Sequence, residues 1–385
     1  MAIVNTNKLE VTKLDFHGIR DSLKTFLQGQ TEFNDYDFDG SGLGAILDLL
    51  SYNTHYLAFY LNMVANEMFL DTASQRSSVV GIARQLGYTP KSARGAIAAV
   101  NFTLNVSGGA ASVTIPRWTP FSIVVEKDKF LFYTLDSKTV NTVSGAAPFI
   151  RLPIKEGIYV KNTWTYNSQG KKQRFIMDNQ YIDTTTMSVT VKASKSTGGT
   201  GDTYTLYKDL ITLDGTSQVY FLQEVEDGKY EIYFGDGIYG KALSDENVIT
   251  VDYLTTNGSV ANFAGKNSNE QFSLLTTIND SNGSATTVGN VTIIGDGYAA
   301  GGTLPESVSS IKFNAPLSYA AQDRAVTAND YKNILLSNYG NIRGVKVWGG
   351  RPKIGMKYGG LQENSGTVYI CILPKHGDFL PSATK

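Results

Sequence analysis

Cysteine, histidine and long apolar runs are all scarce in this sequence of 385 residues. Cys371 is the single cysteine, which excludes an intramolecular disulfide and a cysteine-rich zinc site. The three histidines are far apart and show no spacing typical of a catalytic metal site. No apolar run reaches the roughly 18 residues that a membrane span needs, and the N-terminus lacks the features of a signal peptide. We therefore expect a protein that is made in the cytoplasm.

An excess of charge of one sign is also missing. The 34 basic and 35 acidic residues leave a net charge of −1, and neither sign forms a long run. Proteins that bind nucleic acid or an anionic membrane surface usually carry a marked basic excess. The composition therefore predicts neither a nucleic-acid partner nor a membrane partner.

Motifs for catalysis are equally sparse. The G-x-S-x-G signature of a nucleophilic serine does not occur, and Cys371 stands among apolar residues in a predicted strand, as a core residue would. In FGDGIYGK, Gly235, Gly237 and Gly240 fit the G-x-G-x-x-G pattern of a dinucleotide loop. Such a loop needs a helix after its glycines, whereas here the sequence turns and continues as a strand. We interpret Asp236–Gly237 as a hairpin turn and predict neither a cofactor nor enzyme activity.

A calcium loop is a second pattern that stays incomplete. In NDYDFDGSG, Asp35, Asp37, Asp39 and Gly40 match positions of an EF-hand loop. The last ligand position requires a glutamate but holds Ile46. We therefore predict no metal site and interpret the acidic residues as a turn before a helix, where the helix dipole favours negative charge.

What the sequence does contain is glycine, with 38 residues, together with many β-branched and aromatic residues. This mixture, with a change from helical periodicity to alternation near Ala96, predicts an α+β multidomain protein. We expect a helical segment over residues 1–95, a β-rich domain over 96–154 and 227–303, a β insertion over 155–226, and an α+β unit over 304–385. Because the chain stops soon after a predicted strand, we also expect it to be part of a longer protein.

Local patterns place the helices. Helical spacing predicts a first helix over 15–29, and Ser41 is predicted to cap a long helix from Gly42 to Asp71. Thr72–Gln75 and Thr327–Asp330 have the spacing of capping boxes, which predicts that further helices begin there.

The long helix carries two apolar stripes rather than one. At about 100° per residue, the leucine stripe consists of Leu43, Leu47, Leu50, Leu57, Leu61, Val64 and Met68. The tyrosine stripe consists of Tyr52, Tyr56, Phe59, Tyr60 and Met63, and a polar strip of Asp48, Ser51, His55, Asn62 and Asn66 lies between the two. Since a surface helix normally buries one stripe, we expect the flanking helices to cover the leucine stripe and another chain to cover the tyrosine stripe. The alternative is that both stripes are internal to a larger helical domain.

Three stretches together resemble one family. FGDGIYGKALSDENVITVDYLTTNGSVAN is similar to the glycine-punctuated segment of baseplate J-like proteins, and residues 35–90 resemble the N-terminal region of the large baseplate wedge subunit of contractile-tailed bacteriophages. PESVSSIKFNAPLSYAAQDRAVTANDYKNIL is similar to the downstream segment of the family. The residues that carry this last match are Pro316, Arg324, Ala325, Val326, Thr327, Asp330 and Tyr331.

The resemblance implies a structural subunit of a virion rather than an enzyme. Members pair with a second copy and with other wedge proteins, and neighbouring wedges form a six-fold ring around the tail hub that rearranges when the sheath contracts. Their N-terminal helices join an intermolecular bundle, which would give the tyrosine stripe its partner. The implied location is the tail baseplate, assembled in the cytoplasm of the bacterial host.

Two alternatives remain at the level of the sequence. The aromatic, β-rich composition is compatible with a carbohydrate- or cell-wall-binding module, in which Trp118, Trp164 and Trp348 would form a sugar platform. The second alternative is a baseplate part of a non-phage contractile injection system.

Overall fold

The structure is a computed structural model that describes residues 15–33, 36–106, 109–169, 173–196, 198–199, 201–207, 213–267, 270–288, 291–293, 298–322, 324–338, 342–349 and 367–374. Within these residues the helices are α1 (Phe16–Gln28), α2 (Gly42–Glu67), α3 (Arg76–Gln85), α4 (Val308–Ala321) and α5 (Ala328–Asn338). The strands are β1 (Ile97–Asn105), β2 (Ser112–Ile115), β3 (Pro120–Val125), β4 (Asp128–Thr134), β5 (Lys138–Asn141), β6 (Ala146–Glu156), β7 (Ile158–Thr165), β8 (Phe175–Met177), β9 (Ile182–Lys192), β10 (Asp202–Leu206), β11 (Val219–Glu224), β12 (Tyr230–Phe234), β13 (Val248–Thr255), β14 (Ser273–Leu274), β15 (Thr287–Val288), β16 (Thr292–Ile293), β17 (Ile342–Gly349) and β18 (Val368–Pro374). This is the expected α+β multidomain class.

The first compact unit comprises the helical region up to Tyr88 together with Val308–Ala315 of α4. α1 ends at Gln28 with Gly29 as its C-cap, which agrees with the predicted stop at Gly29, and it contacts α2. The small core of the unit combines α3 with the first half of α4, so a helix from late in the sequence completes a domain from its beginning. The buried residues of this core are Ala73, Val79, Val80, Ala83, Tyr88, Ile311 and Ala315.

The predicted capping boxes have different outcomes. At α5 the box is confirmed, because the backbone N–H of Asp330 donates to the Thr327 hydroxyl and the Asp330 carboxylate accepts from the N–H of Thr327 at 2.7 Å. At α3 it is wrong, since the Thr72 hydroxyl donates to the carbonyl of Asn66 at 2.6 Å instead. Ser41 occupies the N-cap of α2, but its buried hydroxyl makes no hydrogen bond to the protein.

The second compact unit contains two seven-stranded sheets. The first sheet has the order β14-β3-β4-β6-β1-β15 with β16 beside β1, and the second has the order β7-β13-β9-β10-β11-β12-β8. All pairs are antiparallel except β10–β11, which is parallel. Each sheet has its own apolar core, with stacked Phe102 and Phe149 in the first and Tyr230 and Tyr253 in the second. Two further pairs, β2–β5 and β17–β18, stand apart from these sheets.

The second sheet extends further than the sequence predicted for the β insertion. It runs from Ile158 to Thr255, so β12 and β13 belong to it rather than to the first sheet. These two strands do not pair with each other, because β12 pairs with β11 and β8 while β13 pairs with β7 and β9. The interpretation of Asp236–Gly237 as a turn between two paired strands is therefore wrong. Alternation shows that a segment is a strand, but long-range pairing decides which sheet it joins.

A buried ion pair joins the two sheets. The carboxylate of Asp183 in β9 accepts a hydrogen bond from the backbone of Gly95 at 2.9 Å and lies 2.7 Å from the ammonium group of Lys155 in β6. Both side chains are almost wholly buried. Gly95 is required beside them, because a Cβ atom there would lie 2.1 Å from the carbonyl oxygen of Glu156.

A bulge in β9 supplies the other contacts of this joint. The register of β9 against β13 shifts between Asp252 and Leu254, so residues 184–187 leave the regular ladder. Within the bulge, the hydroxyl of Thr184 lies 2.8 Å from that of Ser92, and the carbonyl of Thr186 accepts from Arg117 at 3.1 Å.

Glu156 connects the two segments in which the chain crosses between the sheets, one after β6 and one after β13. Its carboxylate accepts from the hydroxyl of Thr256 at 2.6 Å and from the side-chain amide of Asn257 at 3.1 Å. Burial raises the pKa of Glu156, although these hydrogen bonds act in the opposite direction. The joint between the sheets is thus polar and buried, in contrast to the apolar cores on either side.

Candidate subunit interface

α2 buries a narrow face made of small residues. At 26 residues it is about 39 Å long. Gly44, Leu47, Ser51 and Ala58 are buried, and the hydroxyl of Ser51 donates to the carbonyl of Leu47. These residues lie on or next to the polar strip that the sequence predicted. Small side chains allow a neighbouring backbone to approach closely, and a Cβ atom at Gly44 would lie 2.3 Å from the carbonyl oxygen of Phe38.

The leucine stripe is not covered by the flanking helices, contrary to expectation. Only Leu47 is buried among the residues of the stripe, and its C-terminal part is open to solvent. The exposed fractions are 48% for Leu50, 61% for Leu57, 51% for Leu61, 60% for Val64 and 68% for Met68. The physical reason is that α1 is held against the polar side of α2, where Arg20 Nε lies 2.6 Å from Asp48.

The tyrosine stripe is exposed along its whole length. The exposed fractions are 53% for Tyr52, 40% for Tyr56, 57% for Phe59, 54% for Tyr60 and 41% for Met63. Its rings touch one another: Tyr52 donates a hydrogen bond to the Tyr56 hydroxyl at 2.9 Å, and the ring centroids of these two residues are 4.5 Å apart. The hydrogen bond raises the pKa of Tyr52. Because these rings already contact one another, their side chains lose little conformational entropy when a partner binds.

Both stripes follow the spacing of helix–helix seams. Leu49, Tyr52, Tyr56, Phe59 and Met63 succeed one another at alternating steps of three and four residues, and so do Leu57, Leu61, Val64 and Met68. This alternation places side chains along one line of a helix that packs against another helix. At about 100° per residue the two seams and the residues between them cover about 200° of the helix. α2 therefore presents two exposed seams, each with the spacing of a helix–helix contact.

The sequence reasoning missed several exposed apolar residues around this surface. Phe26, Leu49 and Phe69 are 64%, 68% and 56% exposed. Leu49 falls on the same line as the tyrosine stripe and could have been found from its spacing. Phe26 lies on the helical spacing that predicted α1 but was not assigned to an interface, and Phe69 follows the end of α2, where periodicity gives no direction.

Both ends of α2 are fixed by charged side chains. At its N-terminal end, Asp39 lies 2.7 Å from Lys24 and 3.1 Å from Arg20 of α1. At its C-terminal end, Glu67 accepts from the backbone and the hydroxyl of Ser74, at 2.8 and 2.6 Å, and so connects the end of α2 to the segment that precedes α3. Burial works to raise the pKa of Glu67, but these hydrogen bonds outweigh it and bring the pKa to about 2.

The acidic loop before α2 is used for these structural contacts. Asp37 accepts from the backbone N–H of Asp39 at 3.0 Å, which forms a tight turn, while Asp39 is bound to the two basic residues of α1. Asp35, the first residue of the calcium-like pattern, lies outside the described residues. In the part of the chain that is described, no cluster of three metal-ligating side chains occurs.

The three tryptophans do not form a common platform. Trp118 is half-buried between Arg117 and Tyr159, and Trp164 packs against Phe175 in the core of the second sheet. Trp348 stacks on its cross-strand neighbour in the β17–β18 pair. The arrangement that would favour a carbohydrate-binding module is thus not present among these residues.

Known proteins resemble this chain in the same regions. The family model described as the helical domain of gp6-like baseplate wedge proteins matches residues 15–88, which include α1 to α3. The model described as the third domain of bacteriophage baseplate wedge protein gp6 matches residues 159–260, which correspond closely to the second sheet. Baseplate wedge protein gp6 of Enterobacteria phage T4 is 29% identical over 394 residues, an alignment that covers 96% of this chain and 55% of the relative.

The chain is thus similar to gp6-like baseplate wedge proteins in its helical region, in its second sheet and along most of its length. Its location is accordingly the tail baseplate of the virion. The chain spans about half of the length of the T4 relative. A solved baseplate of the anti-feeding prophage contains a chain with 14% identity and a TM-score of 0.31, which covers 88% of this chain and 67% of that one. A TM-score this low does not demonstrate a shared fold. Among the described helices of this chain, none combines the length and the hydropathy that a membrane span requires.

Proposed function

We propose that the chain is a structural subunit of a baseplate wedge that assembles through α2 with a second copy of itself and with another wedge protein. In this proposal, neighbouring wedges form a six-fold ring around the tail hub, and the ring rearranges when the sheath contracts. The role is scaffolding rather than catalysis, so packing surfaces take the place of an active site.

One observation carries the proposal, namely the exposed apolar arc of α2. Isolated exposed apolar residues are common on monomers, but a contiguous surface that covers more than half of a long helix is not. Complete burial of a leucine, methionine or phenylalanine side chain stabilises a complex by roughly 1.5–3 kcal/mol. The leucine and tyrosine stripes hold ten exposed apolar side chains between them, which is enough to drive stable association after the entropy of binding is lost.

The two seams differ in chemistry, which suggests two different neighbours. The leucine stripe offers branched aliphatic side chains of the kind that interlock in helical bundles. The tyrosine stripe offers flat rings with polar tips, which suit an interface where part of the surface stays wet. We propose that the residues Tyr52, Tyr56, Phe59, Tyr60 and Met63 contact a helix of another chain, and that the leucine stripe contacts a second helix of the same bundle.

Contacts between wedges have a different requirement, because they must shift on contraction. Interfaces that change during function are usually smaller and more polar than permanent ones. The β domains have outward-facing threonine, serine, asparagine and lysine residues, and we propose that these surfaces form the contacts between wedges. The apolar bundle around α2 would then hold each wedge together while the outer contacts exchange.

Purification of the chain from infected or co-expressing cells tests this proposal. We expect it to elute in a complex that contains two copies of the chain for each copy of another wedge protein. Native mass spectrometry measures this stoichiometry directly. A chain that remains a monomer in the presence of all the wedge proteins would contradict the proposal, and so would turnover of peptidoglycan or nucleotide by the purified complex at the rate of an enzyme.

A further inference from the structure

The FGDGIYGK segment that fails as a cofactor loop has an exposed apolar tip. Ile238 and Tyr239, here called the knob, are 68% and 56% exposed although they are adjacent and large. They stand in the connection between β12 and β13, far along the chain from α2. Nothing in the assembly of the helical bundle accounts for them.

The loop that carries the knob is held in one conformation. The carboxylate of Asp236 accepts from the backbone N–H groups of Ile238 and Tyr239 at 2.9 and 3.0 Å, and the N–H of Gly237 donates to the carbonyl of Gly240 at 3.0 Å. Gly237 and Gly240 both have a positive φ, which glycine adopts without strain. A Cβ atom at Gly235 would lie 2.2 Å from the carbonyl oxygen of Gly240. The glycines are therefore needed for a tight turn rather than for a phosphate.

A second loop, which contains Asp214 to Ser217, packs against the loop that carries the knob. The N–H of Gly240 donates to the carbonyl of Asp214 at 3.0 Å, and the N–H of Lys241 donates to the carbonyl of Ser217 at 2.8 Å. The two loops touch so closely that a Cβ atom at Gly215 would lie 2.0 Å from the carbonyl oxygen of Gly237. The supporting loop is itself braced, because Asp214 accepts from the hydroxyls of two residues that follow it.

The charge around the knob is negative. Hydrogen bonds from the hydroxyls of Ser217 and Thr216 bring the pKa of Asp214 to about 2, and backbone hydrogen bonds from Tyr239 and Ile238 lower the pKa of Asp236. Both groups are thus anionic at neutral pH. Lys241, which follows the turn in the sequence, lies 3.7 Å from the carboxylate of Asp202 and is balanced by it.

We propose that the knob inserts into an apolar pocket, rimmed by lysine or arginine residues, on another protein of the assembled baseplate. A rigid convex tip loses little conformational entropy on binding, and paired aliphatic and aromatic side chains are typical of the anchors that dominate interfaces. The acidic rim selects a basic partner surface. The same rim disfavours insertion into an anionic membrane, which a basic rim would favour. This inference concerns a surface other than α2 and depends on the proposed function only because the pocket is sought in the baseplate.

Site-specific photo-cross-linking in the assembled baseplate tests the proposal. A benzophenone amino acid is introduced at position 238, and a matched control carries it at Val143, which is exposed to 66% on the first sheet domain. We expect position 238 to cross-link to a segment of another protein that contains lysine or arginine, with a yield about tenfold above that of position 143. In the isolated chain, neither position should cross-link to a partner.

Three outcomes would overturn the inference. Equal yields at positions 238 and 143 in the particle would show that the knob faces solvent, and cross-links to lipid alone would show a membrane contact. A pocket without basic residues would contradict the charge argument. If the chain enters the baseplate and position 238 stays silent, this inference fails and the proposed function stands, whereas a chain that never enters the particle contradicts both.

A double variant, Ile238→Ser with Tyr239→Ser, provides an independent measurement. Because Asp236 and the glycines of the turn are kept, the loop should fold, and the thermal unfolding of the chain should be unchanged. The partner that position 238 identifies should then bind the variant at least about tenfold more weakly than it binds the wild type. Equal binding would contradict the role of the knob.

Discussion

Replacement of Tyr56 and Tyr60 by serine is expected to abolish co-assembly with the wedge partner while both β domains stay folded. The two rings are 40% and 54% exposed in the chain, so their removal takes little from its own core. In an interface, each buried tyrosine of this kind contributes about 2 kcal/mol. The double change should therefore weaken association by about a thousandfold, which co-purification and analytical size exclusion measure.

Two matched variants separate the effect of the interface from a general loss of aromatic surface. Tyr181→Ser removes a tyrosine that is exposed to a similar extent, 49%, but lies at the second sheet, and it should leave assembly with the wedge partner intact. Tyr56→Phe with Tyr60→Phe keeps the rings and should retain most of the affinity. If the serine variant elutes in the complex at wild-type yield, the tyrosine stripe is not part of the interface.

Asp183→Asn is expected to destabilise the second unit by about 3–5 kcal/mol. The change leaves the ammonium group of Lys155 buried without its counter-charge, and it removes one acceptor from the backbone N–H of Gly95. Denaturant unfolding at neutral pH measures the loss. We expect the polar joint between the sheets to open first, because each sheet keeps its own apolar core.

Asp178→Asn is the control for this prediction. Asp178 also pairs with a lysine, Lys229, at 2.6 Å, but its side chain is 84% exposed. Exposed pairs contribute at most about 1 kcal/mol, so this variant should be close to the wild type. Adding Lys155→Met to Asp183→Asn should recover part of the lost stability, since the unpaired charge is then gone. A loss of less than 1 kcal/mol in Asp183→Asn, equal to that of the control, would contradict the role of the ion pair.

The sequence predicted local features of the fold well. The first helix, the start of α2 and the capping box at Thr327–Asp330 all follow from interactions within a few residues, which periodicity and capping rules capture. The class of the fold and the resemblance to baseplate wedge proteins are also confirmed. The tyrosine stripe was found from spacing alone, and its assignment as an interface stays a prediction.

Features that depend on distant residues could not be predicted in the same way. The leucine stripe was expected to be covered, yet the choice between two faces of α2 depends on where α1 docks, and the ion pair of Arg20 with Asp48 spans 28 positions. The joint at Asp183 brings this residue together with residues that are 28 and 88 positions away in the sequence. The only local signal for the joint is the run of three threonines after Asp183. The division of strands between the two sheets likewise depends on pairing rather than on alternation.

The solvent accessibility of α2 in the assembled baseplate tests the central claim most directly. Hydroxyl-radical footprinting measures the oxidation rates of Tyr56 and Leu57, one from each stripe, in the isolated chain and in the particle. Each rate is divided by the intrinsic reactivity of its side chain, and Leu47, which is buried in the chain itself, and the exposed Val143 then give the lower and upper reference rates. If other chains cover the two stripes of α2, both residues should react quickly in the isolated chain and as slowly as Leu47 in the particle. Equally fast reaction of Tyr56 and Leu57 in both states would contradict this account.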